Sequence, residues 1–253
     1  MSEVKRLRVF AGPNGSGKST LFNRFSKKYR TGFFINADEL SKQLDSGSGV
    51  HLSDFGLTCA QPDLSQFYTR AEARSLLEKS NKNGNPVDLS ITANIISDSK
   101  KATHNYEGAV CSLFIRHQLI TAGEDFSFET VMSHPGKLDE VRRAKVLGYK
   151  TYLYFVCIDD PEVNVSRVEN RVRKDGHPVP ASLIIRRYAD SLHNLRQAIE
   201  IFDKCYLFDN SSEEQFLIGS IEEGKSLTLE VNEDQFPNWF INHVLPMFSG
   251  TAN

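Results

Sequence analysis

Residues Gly12-Pro13-Asn14-Gly15-Ser16-Gly17-Lys18-Ser19 meet the pattern Gly-x-x-x-x-Gly-Lys-[Ser/Thr], and Thr20 follows directly. Each part has a chemical reason. Glycines let the backbone curl so that successive N–H groups converge on phosphate oxygens. A helix beginning at Lys18 adds the positive end of its dipole at the same point. The Lys18 ammonium can bridge the β- and γ-phosphates, and the Ser19 hydroxyl can ligate Mg²⁺. The chemistry is a grip on a nucleoside triphosphate, ATP or GTP. The string alone does not say what becomes of the terminal phosphate.

Three further groups have types suited to that question. Asp38 follows a short apolar run and can take the proton from an attacking hydroxyl, or it can cap the helix that begins beside Glu39-Leu40. Glu129 and Thr130 end another run. Glu129 can hold a substrate hydroxyl or a water on Mg²⁺, or the pair can make only local hydrogen bonds. Arg167 and Arg171 lie four apart on one helix face, followed by Arg173, Lys174, His177 and Arg186-Arg187. Such a cluster suits a closing lid, because planar guanidinium groups bind phosphate oxygens in pairs and offset transition-state charge. The plainer alternative is a solvated face paired with Glu162, Glu169 and Asp190.

The elements that must position these groups alternate. Leu7–Ala11 is a strand that ends in the glycine loop, and Ser19–Arg30 has helical spacing with Gly32 as its stop. Phe33–Ile35 is a second strand and Ala37–Leu40 opens a second helix. Residues 46–105 are rich in Ser, Asn, Asp and Gly, with one helix expected over Phe67–Asn81. They are expected to form an insertion, because so long a segment without structure is uncommon in a compact fold. Helix Tyr106–Ala122, strand Phe126–Val131, helix Lys137–Leu147 and buried strand Thr151–Ile158 follow. Next come helix Pro161–Lys174, a long amphipathic helix through Tyr188, Leu192, Leu195, Ile199 and Phe202, and strand Lys204–Asp209. A hairpin at Glu222–Lys225 and a short helix near Trp239 close the chain. The expected fold is a P-loop three-layer α/β/α sandwich with a mostly parallel sheet. One domain spans 1–253, with an insertion at 46–105 between the second and third strands and an extension at 213–253. Ligands of such sheets collect beyond the carboxyl ends of the strands.

Composition bounds the partners. With 30 Lys+Arg against 32 Asp+Glu there is no global basic field to draw in nucleic acid. No apolar run approaches the roughly 18–20 residues of a membrane span. The apolar stretch after Lys5, Arg6 and Arg8 is too short for a signal peptide. Cys59, Cys111, Cys157 and Cys205 are widely spaced, as expected of four reduced thiols in a cytoplasmic protein. The main rival to phosphate transfer is an ATPase of transporter or mechanical type, since its loop has a similar string. Such an ATPase needs a Leu-Ser-Gly-Gly-Gln-like signature before a strand ending in acidic residues. Tyr152–Ile158 with Asp159-Asp160 can pass for that strand, but no signature precedes it. A third possibility is a nucleotide-dependent switch with no acceptor.

The chain resembles the zeta-toxin family of P-loop kinases. The matching strings are Ala11–Thr20, Ile35-Asn36-Ala37-Asp38-Glu39, Phe128-Glu129-Thr130-Val131-Met132-Ser133 and Ala144–Tyr149. Arg167–Val172 running into Gly176–Pro180, then Arg186-Arg187-Tyr188 and Asp209-Asn210-Ser211, complete the set. The resemblance implies a kinase using ATP or GTP with Mg²⁺. Its acceptor would be a hydroxyl of a small molecule such as UDP-N-acetylglucosamine, and its partner an antitoxin protein. It matches Lys18 to the phosphate lysine, Asp38 to the catalytic base, Glu129 and Thr130 to the substrate-side pair, and Arg167 to a lid arginine. Arg171 and His177 both remain candidates for a second lid group. The lid has Lys174-Asp175-Gly176-His177 where relatives more often have paired glycines. The 46–105 insertion is expected to wall the acceptor pocket, which leaves the acceptor's identity open.

Overall fold

The computed structural model describes residues 4–99, 105–173 and 179–248. In chain order, β1 (Arg6–Ala11) runs into the glycine loop and α1 (Lys18–Ser26), then β2 (Phe33–Ile35) and α2 (Ala37–Asp45). β3 (Val50–His51), α3 (Gln61–Tyr68), α4 (Ala71–Lys82), β4 (Leu89–Thr92) and β5 (Ile95–Asp98) lead to α5 (Asn105–Ala122). β6 (Phe126–Thr130), α6 (Gly136–Val146), β7 (Lys150–Cys157), α7 (Pro161–Val172) and α8 (Ala181–Ile201) follow. The chain ends with β8 (Lys204–Asp209), β9 (Phe216–Glu222), β10 (Ser226–Leu229) and α9 (Asn238–His243). Contacts divide it into two compact units: Met1–Thr31 with Ser127–Asn253, and Gly32–Phe126.

The first unit is built on strands in the order β10-β9-β8-β7-β1-β6. β1 pairs parallel with β7 and β7 with β8, whereas β9 and β10 join antiparallel. This is the expected α/β layering, with helices on both faces. Alternation along each strand sends neighbouring side chains to opposite faces. On one face Phe10, Tyr154 and Tyr206 stack at centroid spacings of 4.8 and 5.1 Å. Phe22 and Phe25 of α1 close over Phe10 from that side. On the other face Phe155 meets Trp239 of α9 at 5.9 Å. Phe10, Phe155 and Trp239 are all buried, and each such ring contributes on the order of 1.5–3 kcal/mol.

The second unit departs most from expectation. Residues 46–105 contain a three-stranded antiparallel sheet in the order β3-β5-β4. Its β4–β5 hairpin turns through Ala93 and Asn94, with φ 49° and 64°, the left-handed pair that a two-residue loop requires. Asn94 ties the turn inward, donating to the Leu57 carbonyl and accepting from the Cys59 N–H, both at 2.9 Å. The single helix expected over Phe67–Asn81 is two helices, α3 and α4. Thr69 ends the first with its hydroxyl on the Gln66 carbonyl at 2.7 Å, and Arg70 is extended, with φ −75° and ψ 147°. No Gly or Pro marks that break. In the same unit α2 lies along α5, and the two approach closely at Gly108.

At the end of the first unit's sheet where β7 begins, Asp203 holds three elements together. It accepts from the Thr151 N–H at 2.7 Å and the Thr151 hydroxyl at 2.9 Å, and pairs with Lys145 of α6 at 2.8 Å. Burial alone would raise its carboxyl, but the Lys145 and Thr151 hydrogen bonds outweigh burial and hold it below its ordinary value of 3.8. A carboxyl depressed on folding stabilises the fold above its unfolded value and loses that contribution as pH falls through the lower folded value. Asp203→Ala is therefore expected to destabilise the fold by about 1–3 kcal/mol in denaturant titrations near neutral pH. The gap to wild type should narrow only below pH 3.8. A gap independent of pH would show that the carboxylate charge is not what matters.

Candidate active site

The glycine loop leaves β1 where the neighbouring strand permits no side chain. A Cβ on Gly12, with φ 138°, would lie 2.0 Å from the Val156 carbonyl oxygen. Gly17 has φ 101°, and its Cβ would meet the Asn210 amide nitrogen at 2.4 Å. Only glycine fits either position, and a curl of this kind lets backbone N–H groups converge on an anion. α1 begins at Lys18, whose ammonium folds back onto the carbonyls of Gly12 and Pro13 at 3.0 and 2.8 Å.

Two asparagines tether the loop from behind. Asn164 of α7, wholly buried, donates to the Asn14 carbonyl at 2.6 Å. Asn210, just beyond β8, donates to the Ser16 carbonyl at 2.8 Å. The Asn210 carbonyl accepts from the Arg167 guanidinium at 3.1 Å, and its N–H donates to the Cys157 carbonyl at 2.9 Å. Arg167 is thus linked to the glycine loop through one intervening residue. Asn164 has no sequence signal beyond being a polar residue on an apolar helix face.

The carboxylates divide by use. Ser19 donates its hydroxyl to Glu129 Oε2 at 2.9 Å, which brings the end of β6 to the first turn of α1. Thr130 is used locally, its hydroxyl oxygen accepting from the Met132 N–H at 3.0 Å. The sequence treats Glu129 and Thr130 as a pair; the structure separates them. Ser191 and Asn194 of α8 hold the following turn by its Val131 and Met132 carbonyls, at 2.8 and 2.9 Å. Asp159 accepts the N–H groups of Asn238 and Trp239 at 2.9 and 2.8 Å, which caps α9. Asp160 caps α7 through the Glu162 N–H at 2.9 Å. The acidic pair that can pass for an ATPase strand end is therefore spent on two helix termini.

The remaining candidates lie as follows. Asp38 stands in the first turn of α2, in the second unit, with an exposed side chain. The cap of α2 is Asn36, which accepts from the Asp38 N–H at 2.9 Å, so the alternative of Asp38 as cap is corrected. Arg171 is exposed in the last turn of α7, and Thr20 is exposed beside Ser19. His177 lies outside the described residues. All four cysteines are free and buried, and burial pushes each thiol up, which makes them poor nucleophiles at neutral pH.

A hydroxyl and a carboxylate at hydrogen-bond distance, Ser19 and Glu129, are hard oxygen donors of the kind Mg²⁺ takes. Among the described residues no group of three or more His, Cys, Asp or Glu is placed to hold a metal. A cation at Ser19 would complete its shell with phosphate oxygens and water, as Mg²⁺ commonly does. Among the described residues no helix is long and apolar enough to cross a membrane.

No family model matches this chain, and no curated protein matches it. Solved structures do. The crystal structure of AvrRxo1-ORF1:AvrRxo1-ORF2 with sulphate ions aligns over 90% of this chain and 62% of that one, at 16% identity and TM-score 0.51. The same pair with ATP aligns over 90% and 61%, at 17% identity and TM-score 0.51. A structure from the PezAT chromosomal toxin–antitoxin system of the human pathogen Streptococcus pneumoniae aligns over 100% and 81%, at 12% identity and TM-score 0.50. The chain thus spans about three fifths of the AvrRxo1 chains it matches. Likeness at these identities establishes the fold alone, and it agrees with the fold that the sequence resemblance implies.

Removing one tether tests whether the loop is held in shape from behind. Asn210→Ala is expected to cost about 1 kcal/mol in unfolding free energy. It should also weaken binding of a fluorescent ATP analogue by about tenfold, or about 1.4 kcal/mol. Unchanged affinity would show that the loop keeps its curl without Asn210.

Proposed function

We propose that this chain is a P-loop kinase that transfers the γ-phosphate of ATP, or of GTP, to a hydroxyl of a small molecule. The observation that carries the proposal is the division of carboxylates around the glycine loop. Asp159 and Asp160 serve as helix caps, whereas Glu129 bonds the serine of the loop. An ATPase that activates water beside β7 would need that acidic pair unengaged. Asp38, relieved of capping by Asn36, has an exposed carboxyl suited to an acceptor hydroxyl.

In the proposed reaction the inward amides and Lys18 bind the triphosphate tail. Ser19 and Glu129 are the residues that would hold Mg²⁺, which would supply positive charge against the phosphates. Arg167 faces the transferring group, with Arg171 and His177 as candidates for a second cation. Asp38 takes the acceptor's proton as its oxygen bonds to the γ-phosphorus. The bond from that phosphorus to the bridging oxygen breaks, and the nucleoside diphosphate leaves. Alignment and electrostatics supply most of the acceleration in such transfers.

The AvrRxo1 structure with ATP supports the choice of donor. The AvrRxo1-ORF1:ORF2 pairing and the PezAT toxin–antitoxin system support an antitoxin protein as partner. UDP-N-acetylglucosamine is the first acceptor to test, on the strength of the sequence resemblance.

The test is nucleoside diphosphate release over a panel of hydroxyl acceptors, including UDP-N-acetylglucosamine. Lys18→Ala is expected to lose nucleotide binding and turnover together. Asp38→Asn is expected to bind nucleotide as wild type does and to lose acceptor-dependent turnover by about 10²–10⁴-fold. Full transfer by Asp38→Asn would remove Asp38 as the base. Release that no acceptor stimulates would favour the ATPase instead.

A further inference from the structure

Among the described residues, four other than glycine have a positive φ. Ala93 and Asn94 form the β4–β5 turn, and Glu223 lies in the turn between β9 and β10, where such angles are at home. Met132 is different. It has φ 56°, its side chain is buried, and it follows β6 where the chain forms no hairpin. A bulky side chain in the left-handed region persists only where its surroundings over-determine it, and such residues gather at functional sites.

Three short side chains hold this turn. The Met132 N–H donates to the Thr130 hydroxyl at 3.0 Å. The Met132 carbonyl accepts from the Asn194 amide at 2.9 Å, and the Val131 carbonyl before it accepts from the Ser191 hydroxyl at 2.8 Å. Ser191 and Asn194 lie three apart on α8 and so share one face of it. Both are buried. Polar groups so placed add less to packing than apolar ones would, and their return comes from the bonds they make. One turn earlier on the same helix, Tyr188 bonds the Ile158 and Asp159 carbonyls after β7. One face of α8 thus registers the ends of two strands.

Glu129 stands three residues before Met132, with its Oε2 2.9 Å from the Ser19 hydroxyl. We infer that Ser191 and Asn194 are positioning residues for phosphate transfer: they clamp the strained turn at Met132, and so fix the end of β6 and the place of the Glu129 carboxylate beside Ser19. The inference rests on the proposed kinase reading and adds to it two residues that act only through Glu129. The physical need is precision, since a displacement of about 1 Å at a reacting site costs about 10²-fold. If Met132 relaxed to the extended region, the peptides after Thr130 would turn, and the last residues of β6 would move with them.

The probe is ATP, titrated calorimetrically into the full chain at a series of Mg²⁺ concentrations. Asn194→Ala is expected to bind ATP without metal within about twofold of wild type, which also reports a folded chain. It should need about tenfold more Mg²⁺ for the same gain in affinity. Ser191→Ala should shift in the same direction. The comparison that separates positioning from mere support is made in Glu129→Gln. There, adding Asn194→Ala should change the Mg²⁺ dependence by less than about twofold, because the clamp acts through Glu129. A Mg²⁺ requirement unchanged in both single variants would overturn the inference. So would loss of metal-free binding in both, because the clamp would then serve the fold at large. An undiminished effect in the Glu129→Gln background would overturn it as well. If wild type bound no ATP with or without Mg²⁺, the kinase reading itself would fall, and the clamp's role with it.

Discussion

Everything else in the first unit depends on a short stretch of backbone held in a shape it would not keep alone. The peptides from Gly12 to Lys18 carry donors that must converge, and convergent N–H groups repel unless an anion joins them. The structure meets that cost with fixed partners behind the loop. Val156 crowds Gly12, Asn164 holds the Asn14 carbonyl, and Asn210 holds the Ser16 carbonyl. Two of the loop's carbonyls, those of Asn14 and Ser16, are thus taken by side chains from outside the loop. Donors held in place by the fold are worth more than donors that must be gathered.

The same economy governs the acidic residues. At the ends of β7 and β8, Asp159, Asp160 and Asp209 are all consumed in holding α7, α9 and the turn at Ser211. Tyr188 of α8 adds its hydroxyl to the Ile158 and Asp159 carbonyls, at 2.8 and 3.0 Å. That end of the sheet is cross-braced by side-chain hydrogen bonds from three helices. Glu129 meets Ser19 instead, and Asp38 sits in a helix turn that Asn36 caps. The chain thus separates carboxylates that build from carboxylates suited to chemistry, which is the basis on which kinase chemistry is proposed over hydrolysis.

The glycine loop is legible because its chemistry tolerates few substitutions, and long elements such as α8 are legible because 21 residues carry their own period. Shorter signals failed for physical reasons. β3, β4 and β5 have two to four residues each, too few to show alternation, and Ala93 in the left-handed turn conceals the hairpin that Asn94 alone hints at. α3 and α4 looked continuous because Thr69 and Arg70 break the helix by local hydrogen bonding and not by residue type. Asp38 reads as a cap in the sequence, although Asn36, two residues earlier, has the side chain that reaches the free N–H. Asn164 carries no sequence signal because a tether exists only in three dimensions.

The central claim is that a triphosphate binds in the glycine loop with its cation at Ser19. The most direct test is calorimetric ATP binding with and without Mg²⁺, in wild type and in Ser19→Ala. Wild-type affinity should rise by about tenfold or more when Mg²⁺ is added, and the variant's by less than about twofold, with metal-free affinities alike. An equal rise in both proteins would contradict the account, because the cation would then be held somewhere other than at this serine.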